Sequence, residues 1–248
     1  MYFFYFKLNL NLKRMKKIAF AAFMAVAVLL TASCGKTSGT NGSSVEETAV
    51  QGTKYTITKE ITSDKAKYGV KVGNTQTIEN SYESMTYFHG FFIADYISDL
   101  GGTILSERVL LDPKNGKTVM TSDTITYCEE GYFIGKMRDK TDVYFPETGV
   151  GFYALESYAI SGNVILAKGY EDWGAYTTSN DTILGPHYKQ IILLEKGKER
   201  QYLIQEDGVW LRLNAQGEAI AQVSAAEMKK LKKQGGWQKD AGAFVLKK

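Results

Sequence analysis

The sequence predicts an all-β fold: tandem β-hairpin repeats forming a solenoid or propeller-like stack, finished by a short C-terminal helix. Three observations carry this expectation. The body is rich in Tyr, Phe, Val, Ile and Thr and holds only 3 Pro, a composition that suits pleated strands. Glycine interrupts aromatic or apolar runs at recurring places, and a tight reversal between strands favours glycine because positive φ costs it little. Alternating with those runs is a second shape, a short strand, a polar turn and another strand, at intervals of roughly 32–39 residues. One hairpin cannot bury its own apolar face, so at least about three such units must stack to be stable.

The first element is an export segment. Arg14, Lys16 and Lys17 form a cationic stretch, residues 18–30 are an unbroken apolar run, and Thr31, Ala32 and Ser33 are small residues ahead of Cys34. That order marks a signal peptide over residues 1–33, with Met15 as the expected true start. The run is shorter than the roughly 20 residues a membrane span needs. The pattern resembles a bacterial lipoprotein signal, although Thr31 stands where Leu is preferred and Leu30 lies one step further out. The resemblance implies acylation of Cys34; the alternative is an ordinary secretory signal cut near Ala32, leaving a free thiol. Two or more acyl chains, each burying CH₂ groups at about 0.8 kcal/mol apiece, hold a protein on a membrane. Gly35, Lys36 and Thr37 after the cysteine are not acidic, which points to the periplasmic face of an outer membrane, with surface display as the alternative. Residues 34–53 have neither helix nor strand period and are expected to be the lipidated cysteine and a tether spanning roughly 25 Å.

The repeat domain is expected over residues 54–223, with residues 54–61 as an entry strand. Glycine-broken runs occur around Gly90, Gly131 and Gly162, and more loosely around Gly197. The strand–turn–strand shapes align at Val70, Val109, Val143, Ala175 and Val209. Within 208–213, Val209, Leu211 and Leu213 share one face while Trp210 and Arg212 share the other, the alternation of a half-buried strand. The pairs Tyr68-Gly69 and Trp173-Gly174, the segment 207–220, and the stretches beginning at Tyr82 and Tyr188 resemble WG-type β repeats over roughly residues 68–220. Two repeats lack the aromatic-Gly pair. The resemblance implies stacked hairpins, binding or scaffolding roles, and no shared catalytic site.

Residues 224–248 form a basic tail. Ser224 and Glu227 have capping-box spacing, Met228 and Leu231 give a narrow apolar stripe, and Gly235 is placed to end the helix. The remainder is expected to return as an irregular or strand segment burying Trp237 and Phe244. Seven lysines after Ala226 against Glu227 and Asp240 give this tail a local +5. Lys7, Lys13, Arg14, Lys16 and Lys17 are the only charges before Cys34, so removing these five cations from the formal +3 leaves −2. A near-neutral body argues against nucleic-acid binding. With Cys34 acylated, Cys128 has no partner in the chain and reads as a small buried hydrophobe rather than a reactive thiol.

No catalytic, metal or cofactor motif emerges. His89 and His187 stand in no zinc-ligand spacing, and neither a GxSxG elbow nor a Walker A loop occurs. Glu129-Glu130 and Glu171-Asp172 are adjacent, so on a strand they point to opposite faces and make poor acid/base partners. Tyr68, Tyr144, Trp173, Tyr176 and Trp210 recur near corresponding repeat positions. Exposed in a row, they would stack on sugars or grip a protein strand; repeated core positions are the plainer reading. The tail lysines would meet anionic headgroups or simply form a solvated face. The expected function is therefore a non-enzymatic, membrane-anchored envelope lipoprotein binding another envelope protein. Glycan recognition is the alternative, and a hydrolase built from scattered carboxylates the third.

Overall fold

Five antiparallel meanders account for nearly the whole body in the computed structural model, which describes residues 43–63, 65–170 and 172–247. The export segment 1–33, Cys34 and residues 35–42 lie outside the described residues, as does Glu171 of the second acidic pair. The first sheet is β1 (Ser44–Ala49), β2 (Tyr55–Thr62), β3 (Lys65–Val72) and β4 (Thr75–Tyr82). The second is β5 (Ser84–Phe88), β6 (Phe91–Leu100), β7 (Thr103–Leu111) and β8 (Thr118–Ser122). The third is β9 (Thr124–Cys128), β10 (Tyr132–Met137), β11 (Lys140–Phe145) and β12 (Val150–Leu155). The fourth is β13 (Ser157–Ser161), β14 (Val164–Lys168), β15 (Trp173–Thr177) and β16 (Thr182–Tyr188). The fifth holds β17 (Ile191–Lys196), β18 (Glu199–Glu206), β19 (Val209–Leu213) and β20 (Ala219–Gln222), and gains β21 (Ala243–Lys247) parallel to β17. The predicted all-β hairpin stack with one short helix, α1 (Ala225–Leu231), is what the described residues form.

The glycine-broken runs are the first hairpin of sheets two to five. His89 and Gly90 take φ of 46° and 88° at the β5–β6 reversal, the pair of left-handed residues a two-residue turn needs. Gly131, Gly162 and Gly197 serve the later sheets in the same place. The strand–turn–strand shapes are the third and fourth strands. There a register shift recurs: Val70↔Ile78 gives way to Lys71↔Gln76, Leu110↔Met120 to Leu111↔Thr118, Ala175↔Leu184 to Tyr176↔Thr182, and Arg212↔Ala221 to Leu213↔Ala219. The equivalent residues are thus Val70, Leu110, Ala175 and Arg212. Alignment at Val109 and Val209 is out of step: Val109 packs toward the first sheet, and Val209 is an exposed strand start. A one-residue slip exchanges the two faces of a strand, and both faces are apolar at 109–111, so hydrophobicity alone did not set the frame.

Every joint between neighbouring sheets has its own apolar core. Val70, Ile78, Phe92 and Leu111 fill the first joint, and Leu110, Met120, Phe133 and Tyr144 the second. Val143, Phe152 and Ile165 fill the third, and Leu166, Trp173, Leu193 and Leu213 the fourth. Among the described residues no core joins the first sheet to the fifth. The outward face of the first sheet is polar instead. Thr58 donates to Asn80 Oδ1 at 2.6 Å, and Gln76 Nε2 donates to Thr58 Oγ1 at 3.1 Å and to the Ile78 carbonyl at 2.7 Å.

Both ends differ from expectation. Residues 44–49 of the expected tether are β1, paired with β2 from Ser44↔Ile61 to Ala49↔Thr56. All six side chains are exposed, so no apolar period marks the strand; backbone pairing and the ion pairs Glu46–Lys59 and Glu47–Lys71 hold it. At the other end, residues 224–248 do not stand apart from the repeats, because β21 is a member of the fifth sheet. Ser224 caps α1 as expected, accepting from the Glu227 amide at 3.2 Å. The helix stops at Leu231, before Gly235, as the Lys233 and Gln234 amides bond carbonyls three residues back, the tighter winding common at helix ends. Met228, Leu231 and Phe244 are buried against Ile192, Leu203 and Leu246, with Trp237 half-buried beside them. Lys229, Lys230, Lys232 and Lys233 are all exposed.

Candidate functional site

The five aromatic residues singled out by repetition do not share a surface. Tyr144 and Trp173 are 6% and 5% exposed, while Tyr68, Tyr176 and Trp210 are half-buried. Each packs in a different core: Tyr68 at the first joint, Tyr144 at the second, Tyr176 at the third, Trp173 at the fourth and Trp210 against α1. Their recurrence is that of packing positions, and no exposed row exists for them to form.

Two of them do mark a shared device. Tyr68 pairs with Tyr82 and Trp173 with Tyr188, each just before a register shift. The glycine after each aromatic leaves room that a neighbour occupies. A Cβ on Gly69 would meet the Ile78 carbonyl oxygen at 2.5 Å, and one on Gly174 would meet the Tyr176 ring edge at 2.6–2.8 Å.

The accessible aromatic surface lies elsewhere, in a cleft between the third and fourth sheets. These two sheets are bridged by side chains such as Phe152 and Tyr176, ring centroids 5.6 Å apart, and by Thr148 donating to the Thr178 carbonyl at 2.7 Å. Toward the edge strands β12 and β16 the gap opens into a cleft of about 730 Å³. A spacing recurs at its edge strands, glycine followed two residues later by a ring: Gly174/Tyr176 and Gly185/His187 on the cleft side, and Gly151/Tyr153 on the face of the third sheet turned to the second. Residues two apart on a strand share a face, and in each segment the ring's outer edge leans back into the space a Cβ on the glycine would fill.

Tyr153 owes its place to a bulge. The register of β12 shifts between Thr141 and Val143, Ala154 takes φ of 55°, and the Ala154 amide donates to Asp142 Oδ1 at 2.7 Å. Bulges re-aim side chains in this way. Tyr153 Oη donates to the Val119 carbonyl at 2.8 Å, fixing a ring that is nevertheless 51% exposed. Burial raises the phenol pKa of Tyr153, with Asp142 adding to the effect, and burial raises that of Tyr176. Tyr170 stands on the rim, 94% exposed, with Lys140 Nζ 5.8 Å from its ring centroid. Asp172 on the cleft wall is paired with Lys189 at 2.6 Å. Tyr153 and Tyr170 escaped the sequence reading because they fall outside the aligned positions; the Gly-X-ring pattern would have found Tyr153.

A second accessible feature is the β6–β7 hairpin. Its ladder runs from Phe92↔Leu111 to Leu100↔Thr103, but β5 accompanies β6 only as far as Asp95 and β8 accompanies β7 only as far as Arg108. Beyond that line a two-stranded ribbon projects from the sheet. Tyr96, Ile97, Ile104 and Leu105 on it are 39%, 42%, 72% and 39% exposed. At its base Arg108 Nε donates to Asp95 Oδ1 at 2.8 Å, and Ser84 donates to Asp95 Oδ2 at 2.6 Å.

Among the described residues no group of three or more His, Cys, Asp or Glu is placed to hold a metal. Glu129 and Glu130 occupy the exposed β9–β10 turn. His89 stacks on Tyr127 at 3.8 Å between centroids. Cys128 is half-buried rather than buried, and burial raises its thiol pKa.

No family model and no curated protein matches the chain. Among solved structures, it is similar to the crystal structure of BamB from Moraxella catarrhalis, with 15% identity and a TM-score of 0.27 over 74% of this chain and 71% of that one. A superposition that loose transfers no function.

Proposed function

We propose that the protein is a lipid-anchored envelope scaffold that holds a protein partner on the projecting β6–β7 ribbon and performs no catalysis. Acylation at Cys34 on the periplasmic face of an outer membrane supplies the anchor, a reading that rests on the charge, length and small-residue pattern of residues 14–34. The repeats read as degenerate WG-type units used for binding. The ribbon carries the proposal. Among the described residues, neither of its edges has a neighbouring strand to take up its backbone amides and carbonyls, a template that pairs with an extended chain. Asp99, which accepts from the Gly102 amide at 2.8 Å, and Glu107 make it acidic apart from the Asp95–Arg108 pair. The fitting partner is an extended segment of another envelope protein, apolar at alternate residues and bearing lysine or arginine between them.

The test is photo-crosslinking in intact cells from positions 104 and 105, with position 220 on β20 as an equally exposed control (52% for Ile220). A discrete adduct from the ribbon positions alone, abolished by Ile104→Asp, is expected, together with slowed amide exchange over residues 96–107 in the purified complex. Cys34→Ala is expected to release the protein from the membrane fraction. Adducts of equal yield from position 220, or binding unaltered by Ile104→Asp, overturn the ribbon assignment; membrane retention of Cys34→Ala overturns the anchor.

A further inference from the structure

We infer that the groove between α1 and the fifth sheet is a second docking site, independent of the ribbon, for an acidic peptide segment of a partner protein. The groove holds about 830 Å³, within the usual span of ligand clefts. Its apolar lining is Val209, 37% exposed, the half-buried Trp210 and the buried Val223. Its charged lining is a lysine row on α1 and the turn after it. Lys229, Lys232 and Lys233 all line the groove and are all exposed, whereas Lys230 is exposed and does not line it. Residues three and four apart share one side of a helix, and like charges there repel. Among the described residues no carboxylate is paired with any of the three. Lysines on the sheets are treated differently: Lys59, Lys71, Lys140 and Lys168 each meet a glutamate. No acid lines the groove either. Glu227 of α1 is engaged by Arg212, and Glu206 and Asp207, at the reversal into β19, lie outside the lining. Residues 34–226 carry a net −7, so the cations are gathered here rather than spread over the molecule. An unpaired row of cations beside an apolar trough fits a segment that sets carboxylates on the row and a large apolar residue in the trough. An anionic bilayer fits less well. Helix α1 turns Met228 and Leu231, 5% and 1% exposed, into the core, so it has no apolar face to bury among acyl chains, and a plane of headgroups does not fill a concave groove. The ribbon, being acidic, selects segments of the opposite charge, so the two sites hold different sequences.

The experiment is selection from a display library of random peptides on the full chain in detergent, followed by calorimetric titration of the enriched peptides. The comparison probe is dihexanoylphosphatidylglycerol, a short-chain anionic lipid. An enriched class with Asp or Glu beside a large apolar residue is expected, binding the Ile104→Asp variant as tightly as the parent. Lys229→Ala and Lys233→Ala should each weaken such a peptide about two- to fivefold, and replacing Lys229, Lys232 and Lys233 together by alanine should abolish its binding. Lys230→Ala removes the same charge off the groove and should change binding by less than about twofold, because solvent and salt screen exposed charges. Alanine is the best helix former, so thermal midpoints of these variants should match the parent's and any loss of binding is not a loss of fold. Val209→Asp, which sets a carboxylate in the trough, should abolish binding too. A selection that enriches no acidic class overturns the inference. So do acidic peptides that lose as much to Lys230→Ala as to Lys229→Ala, acidic peptides indifferent to Val209→Asp, or the short-chain lipid displacing them through the same three lysines.

Discussion

At Gly69 and Gly174 one sequence feature, a glycine after an aromatic residue, has two physical causes. The obstacle to a methyl group at Gly69 includes the Ile78 carbonyl, part of the backbone, which cannot move without breaking the register shift it sits in. At Gly174 the obstacle is the edge of the Tyr176 ring, which can rotate. Gly69→Ala is therefore expected to cost about 1–3 kcal/mol, in the range of overpacking, and Gly174→Ala less, as measured by denaturant unfolding. Equal losses would show that Tyr176 is as immovable as a main chain. The aromatic-Gly pairs were legible in the sequence, whereas their meaning was not. Tyr68, Tyr144, Trp173, Tyr176 and Trp210 repeat because each sheet needs large side chains at its joints. The rings open to solvent, Tyr153 and Tyr170, repeat nothing. Tyr153 is turned outward by a bulge, which depends on the count of residues between strands and not on their hydrophobicity.

The elements that sequence missed are those that bury little. Strand β1 has no buried side chain, and the outer half of the β6–β7 hairpin keeps its apolar residues in solvent, so burial periodicity signals the former not at all and the latter falsely, as an ordinary core strand. What holds the ribbon is its base. Asp95 accepts from Arg108 and Ser84, and these contacts, Arg108 first, keep its carboxyl below the usual carboxylate range against an opposing contribution from burial. A lowered pKa means that the ionised form is favoured by folding. Its contribution is fully present above the ordinary value near about 4 and fades as pH falls through the lower folded value. Both partners are roughly a third exposed or more, so the contribution is about 0.2–1 kcal/mol. The stability difference between the parent and Asp95→Asn should be constant above about pH 5 and shrink below about pH 4. A difference that grows on acidification would show that Asp95 is not stabilised as its carboxylate.

On the scale of the whole stack, the period of the sequence was enough to foretell sheets that share cores only with their neighbours, because one sheet's second face has nowhere else to go. The close of the stack was half legible. Capping-box spacing announced α1, yet nothing announced that β21 would run parallel to β17, since parallel pairing joins residues distant in sequence. Ending the chain after Val223 would uncover Ile192, Leu194 and Leu203. Exchange protection should then collapse in β17–β20 while the first and second sheets, four and three joints away, keep theirs. Uniform loss across all five sheets would mean that the molecule unfolds as one unit. The two extremities of the array are unlike: a woven amide-and-hydroxyl lattice of Thr58, Gln76 and Asn80 at one, a helix that tucks Met228 and Leu231 inward and turns lysines outward at the other. Neither offers the other a dry seam, so laying one copy's first sheet against another's α1 end would bury no continuous apolar face.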